Sequence, residues 1–118
     1  MEDISINFET RVSSYLNFLI SVKETRTYSE IADKCDIKPP GKIRKISRIL
    51  LKITKNDIID HKPIRTAVIV SKINKMDGNN IPHEDFFLFL SKNKIYNGGK
   101  NIKSYTQFHR KLVKELFG

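Results

Sequence analysis

Residues 42–55 combine positive charge with helical spacing, and this combination can bind phosphate groups. The segment contains six lysine or arginine residues and no acidic residue. Its apolar residues recur at the spacing of a helix with one buried face; they are Ile43, Ile46, Ile49, Leu50 and Ile53. The opposite face would then be cationic and free to meet a polyanion. That face comprises Lys42, Arg44, Lys45, Arg48, Lys52 and Lys55.

The positive charge of the chain is concentrated in two blocks. The net charge is +9 and the isoelectric point is near 9.7. Segments 41–55 and 91–118 each carry +6, whereas the rest of the chain is slightly negative. Clustered cations favour a polyanionic partner, with nucleic acid ahead of an anionic membrane. The alternative is a solvated lysine-rich surface without a partner.

Residue types that do covalent or metal chemistry are sparse. His83, Glu84 and Asp85 form a compact acid and imidazole cluster, but three adjacent side chains at a helix start fan around the helix axis. Cys35 is the single cysteine, so neither an intramolecular disulfide nor a cysteine pair for zinc is available. The sequence contains no phosphate-binding glycine loop and no paired catalytic carboxylates. We therefore predict no enzyme activity, no metal and no cofactor.

The 118 residues suit one domain. Apolar spacing predicts helices over about 7–23, 28–34, 84–92 and 104–117, in addition to the basic helix. The β-branched run 67–73 predicts a strand, and Gly78 predicts a turn after it. The expected fold class is α+β, a winged helix-turn-helix core (residues 7–80) with additional C-terminal helices (residues 82–118). Lys72 and Lys75 would lie near the tip of the wing.

Part of this order resembles a known domain. The sequence Thr27-Tyr28-Ser29-Glu30-Ile31-Ala32 is followed by a Pro/Gly turn, a basic helix, an asparagine, a proline-containing loop and an apolar strand. Over about residues 22–80, this order is similar to the winged-helix DNA-binding half of alkylguanine-DNA alkyltransferases and of the non-catalytic alkyltransferase-like proteins. The family's reactive Pro-Cys-His-Arg motif is absent. Its nearest match, Pro63-Ile64-Arg65, has no nucleophile, so the resemblance does not extend to alkyl transfer.

The resemblance implies roles for individual residues. Tyr28 matches the tyrosine that packs at the DNA backbone beside an extruded nucleotide. Lys45, flanked by Arg44, lies nearest the arginine that fills the gap left in the duplex. Asn56 matches the family's asparagine after the recognition helix.

The sequence thus predicts a non-catalytic protein that binds double-stranded DNA, either a transcription regulator or a binder of DNA lesions or structures. The DNA-contacting residues would be Tyr28, Lys42, Arg44, Lys45, Arg48, Lys52, Asn56, Lys72 and Lys75. A homodimer that reads paired half-sites is compatible with this hypothesis. No membrane span or secretory signal is visible, so we expect a cytoplasmic location.

Two alternatives stay open at this point. A small phage or bacterial factor could bind an acidic protein through the basic face, or a partner through a C-terminal aromatic patch. Phe86, Phe87 and Phe89 cannot all point to one side of a helix, so two of them would be core residues and the third would lie on the patch. A third hypothesis is binding of RNA or single strands, with bases stacked on Tyr96, Tyr105 or Phe108 among the C-terminal lysines.

Overall fold

The computed structural model describes residues 4–118, and side chains from Phe8 onwards. In this range the chain forms six α-helices, one short 3-10 helix and two short strands. The helices are α1 (Ile4–Val22), α2 (Tyr28–Lys34), α3 (Lys42–Ile59), α4 (Lys72–Met76), α5 (Glu84–Lys92) and α6 (Ile102–Phe117). The strands are β1 (Arg26–Thr27) and β2 (Ile69–Val70), and the 3-10 helix is Arg65–Val68.

The predicted fold class, α+β with a winged helix-turn-helix core, is wrong. The described chain is mostly helical, and its only sheet is a two-stranded parallel one. In this sheet Arg26 pairs with Ile69 and Thr27 with Val70. Parallel strands cannot be joined by a tight hairpin, so this sheet is not the antiparallel wing that we expected.

The predicted wing is replaced by a short helix. The run expected as a strand over 67–73 divides into the end of the 3-10 helix, the two residues of β2, and the start of α4. Ser71 begins α4, because its hydroxyl accepts a hydrogen bond from the Asn74 N–H at 3.4 Å. Lys72 and Lys75 therefore project from a helix and not from the tip of a hairpin.

Helix α3 is longer than the sequence analysis predicted. The sequence predicts a loop from residue 56, with at most a short extra turn at 57–59, but residues 56–59 continue α3, which ends at Ile59. Asp57 continues the buried face of the helix four residues after Ile53, and it is 1% exposed. The apolar spacing stops at Ile53, so a pattern that counts only apolar residues misses this extension.

The buried side chains form two clusters. The first joins α1, α2 and α3, and includes Leu16, Ile31 and Leu50. The second joins α5 and α6, and includes Phe87 and Tyr105, whose rings stack with their centroids 4.3 Å apart. Residues 64–69 contribute to both clusters: Ile64 and Ala67 belong to the second, and Val68 and Ile69 belong to the first. This segment is therefore the wall that the two clusters share.

Three consecutive residues of this wall make polar contacts with the surrounding helices. Arg65 binds Asp57 of α3, and the Thr66 hydroxyl hydrogen-bonds the Thr54 hydroxyl of α3. The Ala67 carbonyl oxygen lies 2.6 Å from Nε2 of His109 in α6. In this hydrogen bond Nε2 carries the proton and donates, and the carbonyl accepts. Successive residues thus fix the shared wall to α3 on one side and to α6 on the other.

Arg65 also connects α3 to α1. Its Nε lies 3.1 Å from Asp57 Oδ2, its Nη2 lies 3.1 Å from Asp57 Oδ1, and its backbone N–H donates to Oδ2. Its Nη1 donates to the Ser13 hydroxyl at 2.7 Å and to the Asn17 side-chain oxygen at 3.3 Å. The side chain of Asp57 is 2% exposed, so Arg65 balances a carboxylate that solvent barely reaches.

The substitution Arg65→Gln tests this pair. It leaves the buried Asp57 carboxylate without its cation, so the free energy of unfolding should fall by about 3–5 kcal/mol. Urea unfolding followed by circular dichroism measures the change. Lys42→Gln is the matched control, because it breaks the pair with Asp33, whose side chain is 65% exposed, and should cost less than about 1 kcal/mol. Equal losses in the two variants would contradict the assignment.

His109 makes the stability depend on pH. Burial lowers the pKa of this imidazole below its ordinary value of 6.5, although the Ala67 carbonyl acts in the opposite direction. A lowered pKa means that the unfolded chain binds the proton more readily, so stability should fall as the pH decreases below 6.5. The slope should approach about 1.4 kcal/mol per pH unit for one proton. Urea unfolding of His109→Gln should show a shallower acid slope than the wild-type protein, and parallel slopes would refute this role.

Candidate nucleic-acid interface

The candidate interface is built on α2, α3 and the turn between them. Thr27 and Glu30 form a capping box at the start of α2: the Thr27 hydroxyl accepts from the Glu30 N–H, and the Glu30 carboxylate accepts from the Thr27 N–H. Thr27 is therefore the N-cap residue of α2. The hydrogen bond from the Thr27 N–H to the carboxylate is the main cause of the lowered pKa of Glu30.

Two lysines hold the turn that leads into α3. Lys42 Nζ lies 2.6 Å from the Asp33 carboxylate of α2, and Lys45 Nζ donates to the Lys38 carbonyl at 3.0 Å. On the other side of the turn, Arg11 of α1 donates to the Cys35 carbonyl. The turn therefore sets the position of α3 relative to α2 through contacts at both ends.

The inner face of α3 is apolar with two polar exceptions. Ile46, Leu50 and Ile53 are buried, and Thr54 and Asp57 make the contacts with the shared wall. Two members of the predicted apolar stripe lie at its edges: Ile49 is half-buried and Ile43 is 48% exposed. The predicted amphipathic character of the helix is confirmed, and its buried face extends further towards the C-terminus.

The outer face of α3 carries a row of cations that we call the α3 stripe: Arg44, Arg48, Lys52 and Lys55. All four are exposed, and spacings of three or four residues place them on one side of the helix. The row spans about 16 Å at the rise of an α-helix. Among the described residues, only Lys52 of the four lies within ion-pair distance of a carboxylate, that of Glu9 at 3.0 Å. Lys45 is exposed beside the stripe.

The remaining predicted contacts lie in different places. Asn56 lies within α3, and its amide donates to Glu9 at 3.3 Å. Lys72 and Lys75 are exposed on α4 and line a groove with Ser29 and Glu30 of α2. The charge of Lys75 contributes to the lowered pKa of Glu30, which places this lysine near the start of α2. Helix α4 is therefore adjacent to the N-terminal turn of α2.

Tyr28 lines a cavity that is next to α3. Its hydroxyl accepts a hydrogen bond from the His83 N–H at 3.3 Å, which connects the start of α2 to the start of α5. The cavity has a volume of about 190 Å³ and is bounded by Ser47 and Thr54 of α3, Thr66 of the shared wall, and Phe86 of α5. Tyr28 is half-buried, and it faces this cavity together with the exposed Ile43.

The C-terminal aromatic residues are mostly core residues. Phe86 and Phe87 are buried, Phe89 is half-buried, and Tyr96 and Tyr105 are also buried. Two of the three phenylalanines are core residues, as expected, and the third, Phe89, is a half-buried ring beside Leu88. Tyr96 and Tyr105 are packed in the second cluster, where they do not offer faces on which single-stranded bases could stack.

His83, Glu84 and Asp85 have structural contacts at the start of α5. Nδ1 of His83 accepts a hydrogen bond from the Asp85 N–H at 3.1 Å, and Glu84 accepts one from the Tyr105 hydroxyl at 3.0 Å. Within the described range, no group of three or more histidine, cysteine or acidic side chains could hold a metal ion. Sequence reasoning missed His83 as a helix cap, because histidine is not among the usual N-cap residues.

The partial burial of Tyr28 should affect the free energy of unfolding at high pH. Burial raises the pKa of its phenol to about 12, against an ordinary value of 10. A raised pKa stabilises the folded protein below pH 10, and this contribution is lost as the pH rises towards 12. The free energy of unfolding, measured in urea over this range, should therefore fall less steeply in Tyr28→Phe than in the wild-type protein. Identical slopes would show that Tyr28 is solvated.

None of the described helices is both long and apolar enough to cross a membrane.

Comparison with known proteins does not assign the chain to a family. No protein-family model, no curated protein sequence and no solved structure matches the chain.

Proposed function

We propose that the protein binds double-stranded DNA without catalysis and that α3 is the helix that enters the major groove. The observation that carries this proposal is the α3 stripe. It presents four cations over about 16 Å with no acidic residue on α3 before Asp57. An α-helix about 10–12 Å in diameter fits a major groove that is about 12 Å wide.

The distribution of ion pairs supports phosphate binding by two residues of the stripe, Arg44 and Arg48, and by Lys45 beside it. Lys42 and Lys52 have carboxylate partners, whereas Arg44, Lys45 and Arg48 have none within 4.0 Å among the described residues. The carboxylate partners of Lys42 and Lys52 would have to be displaced before a phosphate could bind to either lysine. We therefore assign the main phosphate contacts to Arg44, Lys45 and Arg48, with weaker contributions from Lys42 and Lys52.

The cavity behind α3 supports the DNA-lesion version of this proposal. Tyr28 lines a cavity of about 190 Å³ next to α3. A base that left the duplex next to α3 would meet Tyr28, Ser47 and Phe86 there. A transcription regulator would need only the α3 stripe and would not use the cavity. Both versions require a compartment that contains DNA, and the cytoplasm expected from the sequence meets this requirement.

Fluorescence anisotropy with a labelled duplex and a single strand of equal length tests the proposal. The wild-type protein should prefer the duplex, and log K should fall linearly with log salt. Replacing Arg44, Lys45 and Arg48 together by glutamine should weaken binding and reduce the salt slope by about one unit per removed charge. Glutamine is a good helix former, so α3 should persist.

A matched control removes the same charge elsewhere. Lys62, Lys92 and Lys94 are exposed and lie outside α3 and α6, so their triple glutamine variant should keep the wild-type salt slope. An unchanged slope in the Arg44, Lys45 and Arg48 variant would refute the proposed helix. Absence of duplex binding even at low salt would favour the alternative function, in which the cationic face meets an acidic protein.

A further inference from the structure

Helix α6 has a second cationic row, which the proposed function does not use. Lys103, Arg110 and Lys114 are exposed, and spacings of seven and four residues place them on one side of the helix. We call these three residues the α6 stripe. The buried residues Tyr105, His109 and Leu112 lie on the opposite side of the helix.

The α6 stripe lacks neutralising partners. Among the described residues, none of its three side chains lies within 4.0 Å of a carboxylate. Glu115 is the one acidic residue of α6, and it lies about a quarter of a turn away from Lys114. Lys111 adds a further exposed charge next to Arg110. The stripe spans about 16 Å, the same length as the α3 stripe.

The two stripes belong to helices that pack mainly in different parts of the core. The inner face of α3 packs mainly in the first buried cluster, and the inner face of α6 packs mainly in the second. The shared wall contacts both helices: Thr66 contacts Thr54 of α3, and Ala67 contacts His109 of α6. The buried residues of each helix lie on the face opposite its stripe, so the two stripes form separate surfaces. A duplex seated on the α3 stripe therefore does not need to cover the α6 stripe.

We propose that the α6 stripe binds the phosphate backbone of a second DNA duplex, so that one protein molecule bridges two DNA segments. This inference rests on the proposed function of α3. Lysine and arginine side chains bind phosphates independently of base sequence, which suits a second segment of any sequence.

The surroundings of the stripe favour a duplex over other polyanions. Single-strand binding uses aromatic side chains on which bases stack. Tyr96 and Tyr105 are buried, and the half-buried Phe108 packs against Tyr96 in the second cluster. Insertion into a membrane surface requires an exposed apolar face, whereas the apolar face of α6 is packed in the second cluster. Positive charges on a polar helix face can neutralise the phosphates of a duplex backbone.

A capture experiment tests the bridge. A biotinylated duplex is immobilised on beads, the full chain is added, and a fluorescent duplex of unrelated sequence is offered as the second segment. The wild-type protein should retain the fluorescent duplex on the beads in a salt-sensitive manner. The variant with Lys103, Arg110 and Lys114 replaced by glutamine should bind a single duplex with less than about threefold loss, since separated surface charges are screened. It should retain the second duplex about tenfold less.

The controls separate this inference from the proposed function. The Lys62, Lys92 and Lys94 variant should bridge like the wild-type protein, and circular dichroism should show that all variants keep their helices. Wild-type protein that binds one duplex but captures no second duplex would overturn the bridge and leave the proposed function standing. Absence of any duplex binding would overturn both.

Three other outcomes would also overturn the bridge. Full capture by the α6 variant would mean that two protein molecules, joined as a dimer, hold the two duplexes through α3. A loss of single-duplex affinity of about tenfold in the α6 variant would mean that both stripes contact the same duplex. A fluorescent single strand that is captured in preference to the duplex would refute the assigned partner.

Discussion

The buried carboxylate of Asp57 is the constraint on which the arrangement of the helices depends. A carboxylate that is removed from water is costly unless a cation and hydrogen-bond donors surround it. Arg65 supplies the cation and a backbone donor, and this contact fixes the start of the 3-10 helix against α3. Because Thr66 and Ala67 follow directly, the same contact determines where α3 and α6 lie relative to the shared wall.

This arrangement separates the tasks of the two faces of each amphipathic helix. The inner faces of α3 and α6 combine apolar side chains with a few internal polar partners, such as Thr54 and His109. The outer faces are left to lysine and arginine, with few internal ion pairs. A helix that is held mainly by its inner side can exchange solvent for a ligand on its outer side without rearranging the fold. This is the physical basis for assigning binding to both outer faces.

Helical elements could be predicted from the sequence, but the fold could not. The spacing of apolar residues correctly identified helices at 28–34 and 84–92, because each buries one side. The run 67–73 was misinterpreted as a strand. Its residues 67–70 are all buried, so no alternation distinguishes a strand from a buried turn of helix. The contact between Arg65 and Ser13 was missed because the two residues are 52 positions apart in the sequence. For the candidate site, the sequence located the cations of α3 but not their pairing or the cavity beside Tyr28.

The shared wall has a consequence for how the protein unfolds. Residues 64–69 give side chains to both buried clusters, so neither cluster is complete without the other. Loss of the second cluster would expose Ala67 and remove the hydrogen bond from His109, which would loosen the neighbouring residues of the first cluster. The chain should therefore behave as one cooperative unit, in which backbone amides of α1 and α6 become exchangeable with solvent in the same opening event. A fragment that ends before α5 would lack half of the packing around its central segment.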